Sequence, residues 1–117
     1  GSQFALESNP DGAPTSELFV QTNATDSTYY LRPGYKCRVV GVTGIMTGAG
    51  AASDTVVVKN GSNAITDTID VSALADKSVF SAATIDNDYW DVGKTDFFTI
   101  VTASAALCYL IVKIVRV

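Results

Sequence analysis

The chain of 117 residues is long enough for one domain with its own core, and 47% of its residues are hydrophobic, as in an ordinary globular protein. Its net charge of -4 argues against a nucleic-acid partner, because phosphate contacts need clustered lysines and arginines. No apolar run reaches the roughly 18 residues of a membrane span, so we expect no membrane partner. The chain has no histidine, which is the commonest general base and metal ligand, so we expect no cofactor and no enzyme activity.

The first segment, residues 1–16, is expected to be an extended N-terminal arm. Gly1-Ser2 is typical of what remains after an affinity tag is removed. The turn signature Asn9-Pro10-Asp11-Gly12 follows, and no sustained periodicity is present. Phe4 and Leu6 are two residues apart and would dock on a partner as a short strand, while a disordered tail is the alternative.

Residues 17–117 are expected to form a β-sandwich domain, because short β-rich runs alternate with turn signals such as Pro33-Gly34 and Asn60-Gly61. Residues 72–78 are the only helix-compatible segment, and Gly41 and Gly44 are expected to mark bulges or close approaches within a strand. About eight strands predict an all-β antiparallel β-sandwich of the jelly-roll type. The predicted strands are residues 18–22, 28–31, 35–47, 54–59, 64–71, 79–85, 96–102 and 106–117.

The last predicted strand is apolar on both faces. A strand with one face in water should alternate apolar and polar residues, but here most even positions and most odd positions are apolar. The second apolar face must therefore meet another layer or another copy of the chain. We predict a homo-oligomer whose interface includes the odd positions Leu107, Tyr109, Ile111, Val115 and Val117.

The two cysteines, Cys37 and Cys108, lie in apolar strand-like segments. They are either two free buried thiols that act as small hydrophobic residues, or a disulfide between neighbouring strands. Two cysteines without histidine cannot complete a structural zinc site.

The acidic loop of residues 86–91 is the most site-like cluster. Asp86, Asp88 and Asp91 offer hard oxygen ligands of the kind that Ca²⁺ prefers, but the loop lacks the glycine and glutamate of a dedicated calcium loop, so we expect no bound metal. Tyr89 and Trp90 are either core anchors at a sheet end or surface contacts with a protein or a sugar.

Several segments resemble small virion proteins of tailed bacteriophages, above all capsid decoration (cement) proteins. They are Val39-Val40-Gly41-Val42, Asp54-Thr55-Val56-Val57-Val58-Lys59-Asn60-Gly61, Ala64-Ile65-Thr66 and the ending Val112-Lys113-Ile114-Val115-Arg116-Val117. The similarity covers roughly residues 35–117. It implies a non-enzymatic trimer on the virion surface that binds the major capsid protein, stabilises the shell and grips it with the arm. The alternative is a receptor- or carbohydrate-binding β-module of a phage fibre or adhesin, with Tyr89 and Trp90 as contacts.

Overall fold

A computed structural model of the chain describes residues 15–103 and 106–117. Within these ranges the chain forms ten strands in two antiparallel sheets, and no helix, so the prediction of an all-β antiparallel sandwich is confirmed. None of the described residues belongs to a helix able to cross a lipid bilayer. The strands are β1 (Thr15–Gln21), β2 (Thr28–Leu31), β3 (Cys37–Met46), β4 (Thr55–Asn60), β5 (Asn63–Ala64), β6 (Ile69–Asp70), β7 (Val79–Ser81), β8 (Asp91–Val92), β9 (Phe98–Ala103) and β10 (Cys108–Arg116).

The two sheets have the strand order of a jelly roll. The first sheet runs β1-β10-β3, and β7 and β8 pair with the two ends of the same edge of β3. The second sheet runs β2-β9-β4, and β5 and β6 pair in the same way with β4. Each of these two pairs is one interrupted edge strand, so the ten strands fill eight positions. The orders 1-8-3-6 and 2-7-4-5 are those of a double Greek key.

The core lies between the two sheets. The even positions of β10, from Cys108 to Ile114, are fully buried, as are Val39 in β3, Val56 in β4 and Ile100 in β9. Side chains on a strand alternate between its faces, so these residues share the inner faces of the two sheets. Together they form one continuous apolar layer.

The predicted strand at residues 64–71 is interrupted. Ile65 is fully buried, and the backbone N–H groups of Ile65 and Thr66 both donate to the Val58 carbonyl oxygen. The Thr66 hydroxyl accepts the Val58 N–H at 3.1 Å, so a side chain replaces a ladder bond and regular pairing stops. Residues 72–78 form turns rather than a helix, and the predicted strand at residues 79–85 ends at Ser81.

Two boundaries also differ from the prediction. Thr15 and Ser16, assigned to the arm from the sequence, pair with β10 as the start of β1. The two-residue strand β8 lies in a segment predicted to be a connection. Its two residues, each with one cross-strand partner in β3, are too few to produce a periodic pattern in the sequence.

The predicted turn and glycine features are present. Gly34 has φ +84° and Gly61 has φ +62°, and Gly61 opens the two-residue hairpin between β4 and β5. The β3–β10 register shifts beside Gly41, which leaves Val40 without a partner in a bulge. At Gly44 the Phe80 ring occupies the space where a Cβ would lie.

Candidate assembly surface

The outer face of the first sheet carries a contiguous group of apolar side chains. Cross-strand register places Tyr109 of β10 opposite Ile45 of β3, and Ile45 opposite Val79 of β7. On the other side, Phe19 of β1 is opposite Ile111. Directly opposite side chains share a face and stand about 5 Å apart. We call these five residues, Phe19, Ile45, Val79, Tyr109 and Ile111, the outer apolar patch.

The side chains of the outer apolar patch are open to solvent to different degrees. Val79 is 75% exposed and Phe19 is 50% exposed, whereas Ile45, Tyr109 and Ile111 are half-buried. The rings of Phe19 and Tyr109 stack with centroids 5.7 Å apart and an interplanar angle of 14°. The stack fixes two large rings on the surface before any partner binds.

The other half of this outer face is charged. Glu17 of β1 is opposite Lys113 of β10, and Arg38 of β3 is opposite both Val115 and Asp91. The Arg38 Nε donates to Asp91 Oδ1 at 2.8 Å. Two acidic and two basic side chains thus stand beside the patch, and their formal charges cancel.

The predicted interface residues divide into three groups. Tyr109 and Ile111 are half-exposed on the outer face of the first sheet, and Leu107, just before β10, is half-exposed as well. Val117 is 46% exposed at the end of the chain. Val115 is only 8% exposed, so it is largely covered within the chain itself and offers little surface to a partner. Among the described residues, β10 therefore has an exposed apolar surface around Tyr109 and Ile111, and Val115 is not part of it.

Three members of the patch were not predicted from the sequence: Phe19, Ile45 and Val79. Each belongs to a predicted strand, but the contact depends on long-range register between strands far apart in the chain. The only local signal in the sequence was an apolar residue at a position where the alternation of a strand would place a polar one.

The loop that contains Tyr89 and Trp90 is tied to the second sheet. The Asn60 side-chain amide donates to the carbonyl oxygens of Tyr89 at 3.0 Å and Asp91 at 2.7 Å. Trp90 packs against the core, and the Arg38 guanidinium lies over its ring at 4.5 Å from the centroid. Trp90 is therefore a core anchor, whereas Tyr89 is 38% exposed and available for contact.

The three loop carboxylates do not form one site. Asp86 Oδ1 accepts the backbone N–H of Asp88 at 2.9 Å, which is a local turn, and Asp91 is paired with Arg38. Across residues 15–103 and 106–117, no group of three potential metal ligands comes together. The arrangement of the described residues thus gives no support to a calcium site at this loop.

The two cysteines are free and buried, which decides between the two alternatives left open by the sequence. They lie at opposite ends of the antiparallel β3–β10 pair, since Cys37 is opposite Arg116 and Cys108 is opposite Met46. Burial, with a smaller contribution from the Asp91 charge, raises the pKa of Cys37 to about 11. Burial also raises the pKa of Cys108, so both thiols stay protonated at neutral pH.

A second exposed aromatic pair lies on the outer face of the other sheet. Tyr30 of β2 is 66% exposed and Phe97, just before β9, is 44% exposed. Their rings meet edge to face with centroids 5.3 Å apart. The next residues across the sheet from Tyr30 are Thr99 and Lys59, so this pair is bordered by polar side chains.

The described surface has no cavity able to enclose a small molecule. What it offers to a partner is a broad sheet face rather than a cleft. Phe4 and Leu6, the predicted contacts of the arm, lie outside the described residues.

No protein-family model matches the sequence, and no curated protein matches it. Among solved structures, the chain is similar to a chain of the capsid asymmetric unit of cyanophage Pam1, with 18% identity and a TM-score of 0.53 over 90% of this chain and 85% of that chain. It also matches a chain of the virus-like particle of extra small virus from the giant freshwater prawn Macrobrachium rosenbergii, with 12% identity and a TM-score of 0.44 over 89% and 78% of the two chains. At these identities the likeness to the cyanophage chain concerns the fold.

Proposed function

We propose that the chain is a non-enzymatic structural protein of a virus particle, located in the virion, that associates with copies of itself and binds the capsid shell. The observation that carries the proposal is the jelly-roll strand order of the two sheets. The similarity in fold to a chain of a phage capsid asymmetric unit supports it. Jelly rolls are frequent in viral capsid proteins, although a fold by itself does not determine a function.

The surface chemistry supports an assembly role. The outer face of the first sheet presents apolar side chains from four strands to solvent, and such a patch on a small protein marks a contact site. The described surface lacks a cavity for a substrate, and its two thiols are buried and protonated. A flat contact surface fits binding between proteins better than small-molecule chemistry.

The finer role that we propose is that of a decoration protein. In this role the chain forms a trimer, binds the major capsid protein and stabilises the shell from outside. The arm, with Phe4 and Leu6 as its contacts, grips the shell. The arm joins β1 at Thr15, at the end of the first sheet where Thr15 pairs with Val115.

The experiment is a pelleting assay with shells assembled from the major capsid protein alone. The full chain should pellet with the shells in a saturable manner, and the shells should then resist heat better. A chain that lacks residues 1–14 should keep its own melting temperature and bind the shells more weakly. A full chain that stays in the supernatant at every concentration contradicts the proposal.

A receptor- or carbohydrate-binding module is the second candidate, and one observation favours it: the exposed Tyr30–Phe97 pair on the second sheet. Rings of this kind stack on sugar faces. Trp90, which the sequence suggested as a sugar contact, already has the Arg38 guanidinium over its ring. A glycan array with the wild type and Tyr30→Ala separates the two functions, because a decoration protein should show no glycan binding that this substitution removes.

A further inference from the structure

We propose that the outer apolar patch is the surface that a second copy of this chain covers in the assembled state. The inference deepens the proposed function, on which it rests, by naming the occupant of one face. It also gives this surface members from three strands besides β10, whereas sequence periodicity pointed to β10 alone.

The first argument is the contiguity of the exposed apolar groups. Isolated exposed apolar residues are ordinary, but here Tyr109, Ile45 and Val79 form one cross-strand row, and Phe19 and Ile111 begin the next. The second row ends in Thr43 and Ser81, whose small side chains leave the face open. On the opposite face, the residues directly across from Tyr30 are the polar Thr99 and Lys59, so the Tyr30–Phe97 pair does not continue into an apolar cross-strand row.

The second argument is charge. The whole chain has a net charge of -4, so two copies repel each other through most of their surface. The outer face of the first sheet is the exception, because Glu17 and Asp91 are balanced by Lys113 and Arg38. A neutral face with charges of both signs beside an apolar centre is compatible with a second copy of itself. A strongly basic or strongly acidic partner would find no complementary charge there.

The third argument is area. Strand β10 has 9 residues, and at about 3.3 Å per residue it is about 30 Å long. Four strand positions at about 4.8 Å give a width of about 19 Å, so the face measures about 570 Å² in projection. Its side chains raise the accessible area above the projected area. The whole outer face, that is, the apolar patch together with the charged half beside it, is therefore comparable with the roughly 800 Å² that each partner contributes to a stable, specific interface.

The test is sedimentation of the full chain over a wide concentration range, with two patch variants and one matched control. Val79→Asp places a carboxylate on a side chain that is 75% exposed, so it should not disturb folding. Phe19→Asp and Tyr30→Asp each replace an exposed ring of an aromatic pair, on opposite outer faces of the sandwich. Circular dichroism of each variant at dilute concentration checks that it is folded. If Phe19→Asp does not fold, Val79→Asp alone provides the test.

We expect the wild type to sediment as a multiple of 12.3 kDa. Val79→Asp and Phe19→Asp should weaken self-association by about tenfold or more, while Tyr30→Asp leaves it unchanged. A wild type that remains monomeric, or a Tyr30→Asp effect as large as that of Val79→Asp, overturns the inference. Shell binding separates the two proposals: a monomeric wild type that still pellets with shells overturns the inference and the proposed self-association but leaves the shell-binding role standing. A self-associating chain that never binds shells overturns only the decoration role.

Discussion

Thr22, which follows β1, is hydrogen-bonded to Cys108 at the start of β10 although the two residues are 86 positions apart in the chain. The Thr22 hydroxyl accepts the Cys108 backbone N–H at 2.8 Å and donates to the Ala106 carbonyl oxygen at 2.7 Å. The Thr22 backbone N–H donates to the Cys108 carbonyl oxygen at 2.9 Å. These bonds extend the β1–β10 pairing beyond the last regular ladder residue, and Thr22 is only 3% exposed.

Thr22→Val should lower the free energy of unfolding by about 1–3 kcal/mol, because it keeps the side-chain volume but leaves a buried N–H and a buried carbonyl without their partner. Thr22→Ser retains the hydroxyl and should cost clearly less. Urea unfolding of both variants measures the difference. A larger loss in Thr22→Ser than in Thr22→Val would contradict this prediction, because it would show that the methyl group contributes more than the hydrogen bonds.

Gly44→Ala should destabilise the chain by about 1–3 kcal/mol, because the new methyl group would overlap the Phe80 ring in the core. Gly41→Ala in the same strand is the matched control, since its Cβ would meet the Lys113 Cβ at an ordinary 3.9 Å. Thermal unfolding should show a large shift for the first variant and little or none for the second. The double variant Gly44→Ala/Phe80→Leu should recover part of the loss, and a failure to recover would point to another cause.

Arg38→Ala should uncover Trp90, the single tryptophan of the chain, by removing the guanidinium above its ring. The fluorescence emission should move to longer wavelength and become easier to quench with acrylamide. Stability should change by no more than about 1 kcal/mol from the ion pair itself, because Arg38 and Asp91 are both partly exposed. Lys77→Ala breaks the ion pair between Lys77 and Asp76 and should leave the emission unchanged. An unaltered spectrum in Arg38→Ala would contradict the stacking.

The stability of the chain should fall as the pH rises from about 9 towards 11. The pKa of Cys37 is raised from 9.0 to about 11 in the folded state, so over this window the unfolded chain releases a proton that the folded chain keeps. Because the folded state then binds more protons, the free energy of unfolding decreases with pH. Cys37→Ala should give a shallower pH dependence than the wild type in urea unfolding, and identical slopes would contradict the assignment.

The strand pattern of the fold was predictable because its signals are local. β10 shows in a run rich in β-branched residues that no glycine or proline interrupts, and the hairpin between β4 and β5 shows in Asn60-Gly61. The break at Thr66 was not predictable, because it depends on a hydroxyl that meets the Val58 N–H of another strand. The members of the outer apolar patch could not be predicted from the sequence for the same reason. Val79 lies opposite Ile45, and Phe19 stacks on Tyr109, only because of the register between strands that are far apart in the chain.

The role of Val115 illustrates a different limit. Alternation from Leu107 assigns Val115 to the outer face, and the structure keeps it opposite Arg38, but it is nearly covered within the chain. Burial on an outer face depends on neighbouring side chains, so a two-fold periodicity can identify the face but not its exposure.

The copy number of the chain in virus particles tests the central claim most directly. Particles recovered from cells that carry the gene for this chain would be purified on a density gradient, and the chain would be quantified by mass spectrometry against the major capsid protein. A structural protein of the shell should be present in a fixed ratio to the major capsid protein that is comparable across preparations. A chain that is absent from particles contradicts the virion role, and a few copies per particle would instead indicate a fibre or receptor-binding component.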